Sequence, residues 1–347
     1  MNIENKESTI RNKFTLIMFV CSVFVVFIHC FNLVTYGIDA NSTNLIEKIT
    51  YIVETYWHKV LQIAVPFFFF ISGILFYRTF SISGLFKKWK SRFFTIVVPY
   101  LIWCSIYYLY MVALTNIPFI KSLMNTTSVV EFSVLEWLKW LWIEQYYTLW
   151  FLKELILYIF AAPLIWALIN NHWKKIPTGL ITLVAIIVVL EFIPFEIPYT
   201  TGLEVYLVGA YIGLNCRNQL MIKNKIITIL SLVYIAFTLV SAFRFWNIVT
   251  ELILFLAIWF ACDFLPLEDK KLPWWMSITF FTYVAHDLLL EALEKVMLLL
   301  FGKQVIFALL DYIFVPFLVF LILILVAYVL RKWLPVVWKV ITGDRGV

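Results

Sequence analysis

His29 closes the apolar run TLIMFVCSVFVVFIH, and His286 lies in TYVAHDLLLEALEK, followed at helical spacing by Asp287, Glu291 and Glu294. An imidazole titrates near neutrality and can take a proton from a hydroxyl, so His29 is a candidate general base. From its position alone His29 has two readings, a base or a histidine bonded to a neighbouring helix. His286 and Asp287, with Glu154 in the run LWFLKELILY, are candidates to line a wet cavity. Their alternative is ion pairing, in which Lys153, Lys295 and cations of other segments take part. His58 and His172 fall in loops and are expected to be solvated.

A second constellation is basic. Arg78, Lys87, Lys88, Lys90 and Arg92 crowd between the apolar runs VPFFFFISGILFY and FFTIVVPYLIW. Such a cluster either grips the phosphates of a donor met from the cytosol or marks a cytoplasmic turn between two spans. The cysteines (Cys21, Cys30, Cys104, Cys216, Cys262) lie in or beside apolar runs without ligand spacing, so they read as small buried hydrophobes and no metal site is expected. No phosphate-binding glycine loop, dinucleotide fingerprint, HExxH or GxSxG occurs.

The elements that must hold these groups are set by composition. Hydrophobic residues make up 63% of the chain and charged residues 14%, with a mean hydropathy of +0.94, where a soluble domain carries about 25% charged residues. Apolar runs long enough to cross a bilayer recur throughout. The chain is therefore expected to be an all-α integral membrane protein, a bundle of about ten transmembrane helices with both termini cytoplasmic. The expected spans are 14–36, 52–77, 93–115, 147–169, 178–193, 202–214, 226–243, 245–262, 274–301 and 305–330. Threading them in this order leaves a roughly threefold excess of Lys and Arg on the inner side, as the positive-inside rule asks. The net charge of +6 thus belongs to topology, and no nucleic-acid partner is expected. Residues 1–13 are expected to form a cytoplasmic segment, 14–330 the membrane domain and 331–347 a cytoplasmic tail. The stretch 131–146, with Trp137, Trp140 and Trp142, reads as an amphipathic helix in the membrane interface, either an anchor or a platform for an acceptor.

Several pieces occur in a telling order: VPFFFFISGILFYR, KSRFFTIVVPYLIW, TLWFLKELILYIFAAPLI, VGAYIG and YVAHDLLL. In this order and over nearly the whole length the chain resembles the membrane-bound acyltransferase 3 family. That resemblance implies a ten-helix integral enzyme that moves acyl groups, commonly acetyl from acetyl-CoA, onto cell-surface sugars. It implies that His29 is catalytic and that Arg92, with Lys88 and Lys90, handles the acyl-CoA donor. Two features depart from the family pattern. The run before His29 is apolar where the family carries an Asp and an Arg, with Arg11 and Lys13 the nearest charges, and the family's HLWF is here TLWF from Thr148.

The expected protein is thus a multi-pass O-acyltransferase of a bacterial cell membrane. Its expected donor is acetyl-CoA, and its acceptor a hydroxyl on an extracytoplasmic surface glycan or lipid-linked sugar. His29 would deprotonate that hydroxyl or take the acyl group itself. The alternative is a non-catalytic protein that transports or assembles a glycan or lipid-linked precursor on the same scaffold.

Overall fold

A chain this apolar has no water with which to satisfy its peptide groups, so in lipid it closes its hydrogen bonds within helices. The computed structural model describes residues 3–116, 133–142, 147–171, 176–192, 202–242, 244–268 and 270–344, and every regular element among them is helical. Four of the helices are long and apolar enough to cross a bilayer: Glu7–Tyr36, Leu45–Tyr77, Leu85–Ala113 and Val305–Trp333. The pair Trp150–Phe160 and Ala162–Ile169 meets the same test as a single bent element. Each of the other expected spans contains a helix too short or too charged to qualify on length and composition.

We number the helices α1 (Ile3–His29), α2 (Leu33–Tyr36), α3 (Leu45–Leu61), α4 (Ala64–Tyr77), α5 (Leu85–Arg92), α6 (Val98–Asn116), α7 (Val134–Trp142), α8 (Trp150–Phe160), α9 (Ala162–Ile169), α10 (Thr178–Glu191), α11 (Leu203–Asn215), α12 (Lys225–Val240), α13 (Ile248–Ala261), α14 (Thr279–Phe301), α15 (Val305–Trp333) and α16 (Pro335–Thr342). Helix α1 packs against α3, α4, α14 and α15. It runs unbroken from Ile3 through residue 13 to His29. At the other end α15 runs on to Trp333, and α16 folds back onto α6 and α15 with Trp338 buried. The Trp103 indole N–H donates to the Ile341 carbonyl at 2.9 Å, which ties the tail to α6.

The tightest seam joins α4 to α11. Gly209 and Gly213 of α11, four residues apart, and Gly73 of α4 bring the two backbones into direct contact. A methyl on Gly209 would lie 2.1 Å from the Phe70 carbonyl oxygen, and one on Gly73 2.4 Å from that of Tyr206. In lipid, where chain burial drives helix association weakly, such small-residue seams gain close van der Waals packing. Around α4 the Phe67 ring stacks on Phe255 with centroids 4.5 Å apart, and Phe69 packs on Phe151 at 4.4 Å.

Prolines shape the rest. Pro163 has no N–H to give the Ile159 carbonyl, and α8 and α9 meet there at 65°. The freed Ile159 oxygen accepts the Trp89 indole N–H at 2.9 Å instead. Pro99 follows a π-helical turn over Phe93–Val97 that joins α5 to α6. The interfacial stretch is helical over α7, with Trp140 and Leu141 buried and Val134, Leu135 and Leu138 exposed. Ser133 and Glu136 cap it reciprocally at 2.7 and 3.3 Å, and these bonds hold the Glu136 carboxyl below its usual range. The remainder of 131–146 lies outside the described residues.

Candidate active site

Helix α1 delivers His29 at its last turn, and α14 delivers His286 and Asp287 from its buried N-terminal half. Because α1 and α14 pack together, the two histidine rings stand 5.1 Å apart, centroid to centroid. One ligand-type atom from each of His29, His286 and Asp287 falls within 4.8 Å of the other two. His286 is fully buried, Asp287 buried and His29 partly exposed. Three such atoms can converge on one hydroxyl or on one ion. The residues nominated singly from sequence therefore meet at one point.

The tautomer of His286 follows from its neighbours. Its Nδ1 lies 2.8 Å from the Tyr283 carbonyl and 3.1 Å from that of Thr282, both acceptors, so Nδ1 carries the proton and donates. The Nε2 lone pair is then left as an acceptor, and it has no hydrogen-bond partner among the described residues. Tyr283 is fixed in turn, its hydroxyl donating to the Thr148 carbonyl of the TLW sequence. The Tyr107 hydroxyl of α6 donates to the Val284 carbonyl at 3.1 Å. The α14 backbone under His286 is thus held from α6 and from the turn before α8.

A cavity lies one helical turn back along α14 from His286. An apolar bore of about 200 Å³ is lined by Thr15, Met18, Phe68, Ser72, Phe151 and Tyr283, among others. Tyr283 is one helical turn before His286. Thr15 and Met18 also line a wider cleft of about 560 Å³ whose walls carry Glu7, Ser8, Arg11 and Arg78. Bore and cleft therefore share the wall formed by Thr15 and Met18. Arg78 pairs with one Glu7 oxygen, and Arg217 donates to the other at 3.2 Å. At 1.5 Å rise per residue, the α1 axis from Arg11 to His29 spans about 27 Å.

The sequence-nominated donor residues lie on two faces of α5. Lys88 donates to the Phe76 carbonyl and, at 2.9 Å, to the Thr79 hydroxyl. It caps the C-terminal end of α4, where orphan carbonyls favour a cation. Arg92 sits 5.9 Å from the Phe76 ring centroid on the same face of α5, while Lys90 points away and is exposed. Glu154 does not join the histidines. Its Oε2 accepts the Tyr158 hydroxyl at 2.8 Å and the Gly202 N–H at 3.4 Å, which fastens α8 to the start of α11. The His58 ring packs against Phe31 at 4.5 Å, half-buried rather than solvated, and His172 lies outside the described residues.

Two buried polar groupings are not evident from the sequence. Lys13 pairs with Asp263 at 2.7 Å, both side chains buried, and donates to the Trp259 carbonyl at 3.2 Å. Glu54, Asn32 and Asp311 form a buried polar knot just beyond His29. A charge inside an apolar run is the signal that would have found Glu54 and Asp311.

These features define a helical membrane protein with a paired-histidine site one helical turn from an apolar bore. The chain belongs to the acyltransferase 3 family: an acyltransferase domain is matched over residues 13–332. No curated protein and no solved structure is matched.

Proposed function

We propose that this membrane acyltransferase moves an acyl group, acetyl by expectation, from a cytoplasmic acyl-CoA to a hydroxyl of an extracytoplasmic sugar. The observation that carries the reading is the convergence of His29, His286 and Asp287, beside an apolar bore that reaches Tyr283 and shares Thr15 and Met18 with the cleft carrying Arg11 and Arg78. In this reading about ten segments cross the membrane with both termini inside. Helical structure within each expected span and the excess of Lys and Arg in the inner loops support that topology.

The donor's phosphates meet Arg11 and Arg78 at the cleft, where guanidinium forks suit them, and Lys88 and Arg92 brace the adjoining helix ends. The apolar bore takes the slender arm that carries the thioester and excludes water from it. His29 accepts the proton of the acceptor hydroxyl, whose oxygen attacks the thioester carbon. The carbon–sulfur bond breaks, and the departing thiolate recovers a proton from His29. The unprotonated Nε2 of His286 and the Asp287 carboxylate hold His29 in orientation and stabilise its protonated form. Protein-held charge in a site sealed from water counts for more than it would outside. A transporter of sugar chains calls for a wide polar path, and the narrow apolar bore supports the enzyme reading over that one.

The test is steady-state transfer with an Arg11→Gln, Arg78→Gln double variant. Losing two charge-assisted contacts should raise KM for acyl-CoA by about tenfold or more with little change in kcat. An unchanged KM would remove the donor from this cleft.

A further inference from the structure

Beyond His29, α1 gives way to a polar knot made by α2, α3 and α15. The Asn32 N–H donates to Glu54 Oε2 at 3.2 Å, and its side-chain amide donates to the Ala308 carbonyl at 3.2 Å and to Asp311 Oδ2 at 3.4 Å. The Tyr36 hydroxyl donates to the same Asp311 oxygen at 3.3 Å. Four polar atoms of the knot have no partner among the described residues: Asn32 Oδ1, Glu54 Oε1, Asp311 Oδ1 and the Tyr312 hydroxyl. Their residues are 3%, 0%, 2% and 3% exposed. Three of these atoms only accept, and no Lys or Arg among the described residues pairs with either carboxylate. The knot is built for a visitor that donates hydrogen bonds, since such buried groups are costly to leave unmatched.

Tyr312 also faces an apolar groove of about 300 Å³ between α1, α3 and α15, walled by Phe24, Phe27, Val53, Trp57 and Ile313. Groove and knot therefore meet at one side chain, within reach of the turn that carries His29.

We propose that this groove and knot form the acceptor site, and that the acceptor is an amphiphile whose apolar chain lies in the groove and whose uncharged, hydroxyl-rich sugar enters the Glu54–Asn32–Asp311 knot. This deepens the acyl-transfer reading and rests on it for the word acceptor. Charge complementarity selects the head. A phosphate or pyrophosphate between chain and sugar would face two carboxylates with no cation to offset them, whereas sugar hydroxyls donate to all three acceptors. The apolar chain sets depth and register, leaving one hydroxyl to reach His29.

The test reads binding alone, without acyl-CoA, so it stands or falls separately from catalysis. The protein in phosphatidylcholine nanodiscs is titrated with a decyl glucoside brominated along its chain, and quenching of Trp57 is followed, with Trp57→Phe marking the signal. Saturable quenching is expected, at least about tenfold weaker in Glu54→Gln, Asp311→Asn protein and abolished by Val53→Trp, which fills the groove while the knot stays intact. Thermal unfolding of each variant is followed in parallel. Brominated decyl phosphate or decanol binding as tightly as the glucoside would overturn the proposal, as would glucoside binding indifferent to both sets of variants. Loss of acyl-CoA turnover with glucoside binding intact would instead count against the acyl-transfer reading.

Discussion

Replacing Lys13 by Met should destabilise the end of the bundle that holds Lys13 and Asp263, and replacing Asp263 by Leu as well should restore it. Both charges are buried, at 3% and 6% exposure, and Lys13 reaches Asp263 at 2.7 Å and the Trp259 carbonyl at 3.2 Å. Its ammonium also lies 4.9 Å from the Trp259 ring centroid. Apart from the ion pair, neither Asp263 oxygen has a hydrogen-bond donor among the described residues. Lys13→Met thus strands a buried carboxylate, a loss of about 3–5 kcal/mol. The double variant removes both charges and needs only to fill their space, which leaves stability near that of the wild type or up to about 4 kcal/mol above it. The assay is thermal unfolding in detergent, paired with acyl transfer. If Lys13 stood in for the missing family charges as a donor contact, the double variant would be stable and inactive. Recovery of both stability and transfer identifies a structural pair. A single variant as stable as wild type would refute the burial argument itself.

Two further perturbations probe the framework and the site. Gly209→Ala drives a methyl onto the Phe70 carbonyl, 2.1 Å away. That overpacking should cost about 1–3 kcal/mol, read as a lower unfolding midpoint and a weakened transfer rate because α4 also walls the bore. Chelation by EDTA should leave transfer unchanged, since His29, His286 and Asp287 are read as a proton relay. Loss restored by zinc would make the same three atoms a metal site instead.

Much of this architecture is legible in the amino-acid order. The apolar runs, the basic turn around Lys88 and the histidines at 29 and 286 stand out because charge in lipid is conspicuous. The family follows from the ordered pieces around VPFFFFISG and YVAHDLLL, and the matched acyltransferase domain bears it out. What the order does not show is which charges meet. His29 and His286 are brought together by α1 packing on α14, a contact between distant parts of the chain. Arg11 and Arg78 look like ordinary loop cations until the cleft brings both into its lining. Nor does the order show that Lys88 lies against the end of α4, or that Glu154 holds Tyr158 and Gly202. Gly209 and Gly213 carry the seam signal four residues apart, visible only once Gly73 is known to face them.

The central claim is that His29 takes the acceptor's proton, and acyl transfer from radiolabelled acetyl-CoA by His29→Ala protein in membranes tests it most directly. The account predicts folded, inserted protein with transfer reduced by about 10²–10⁴-fold, the usual contribution of a positioned base. Transfer at the wild-type rate would contradict it.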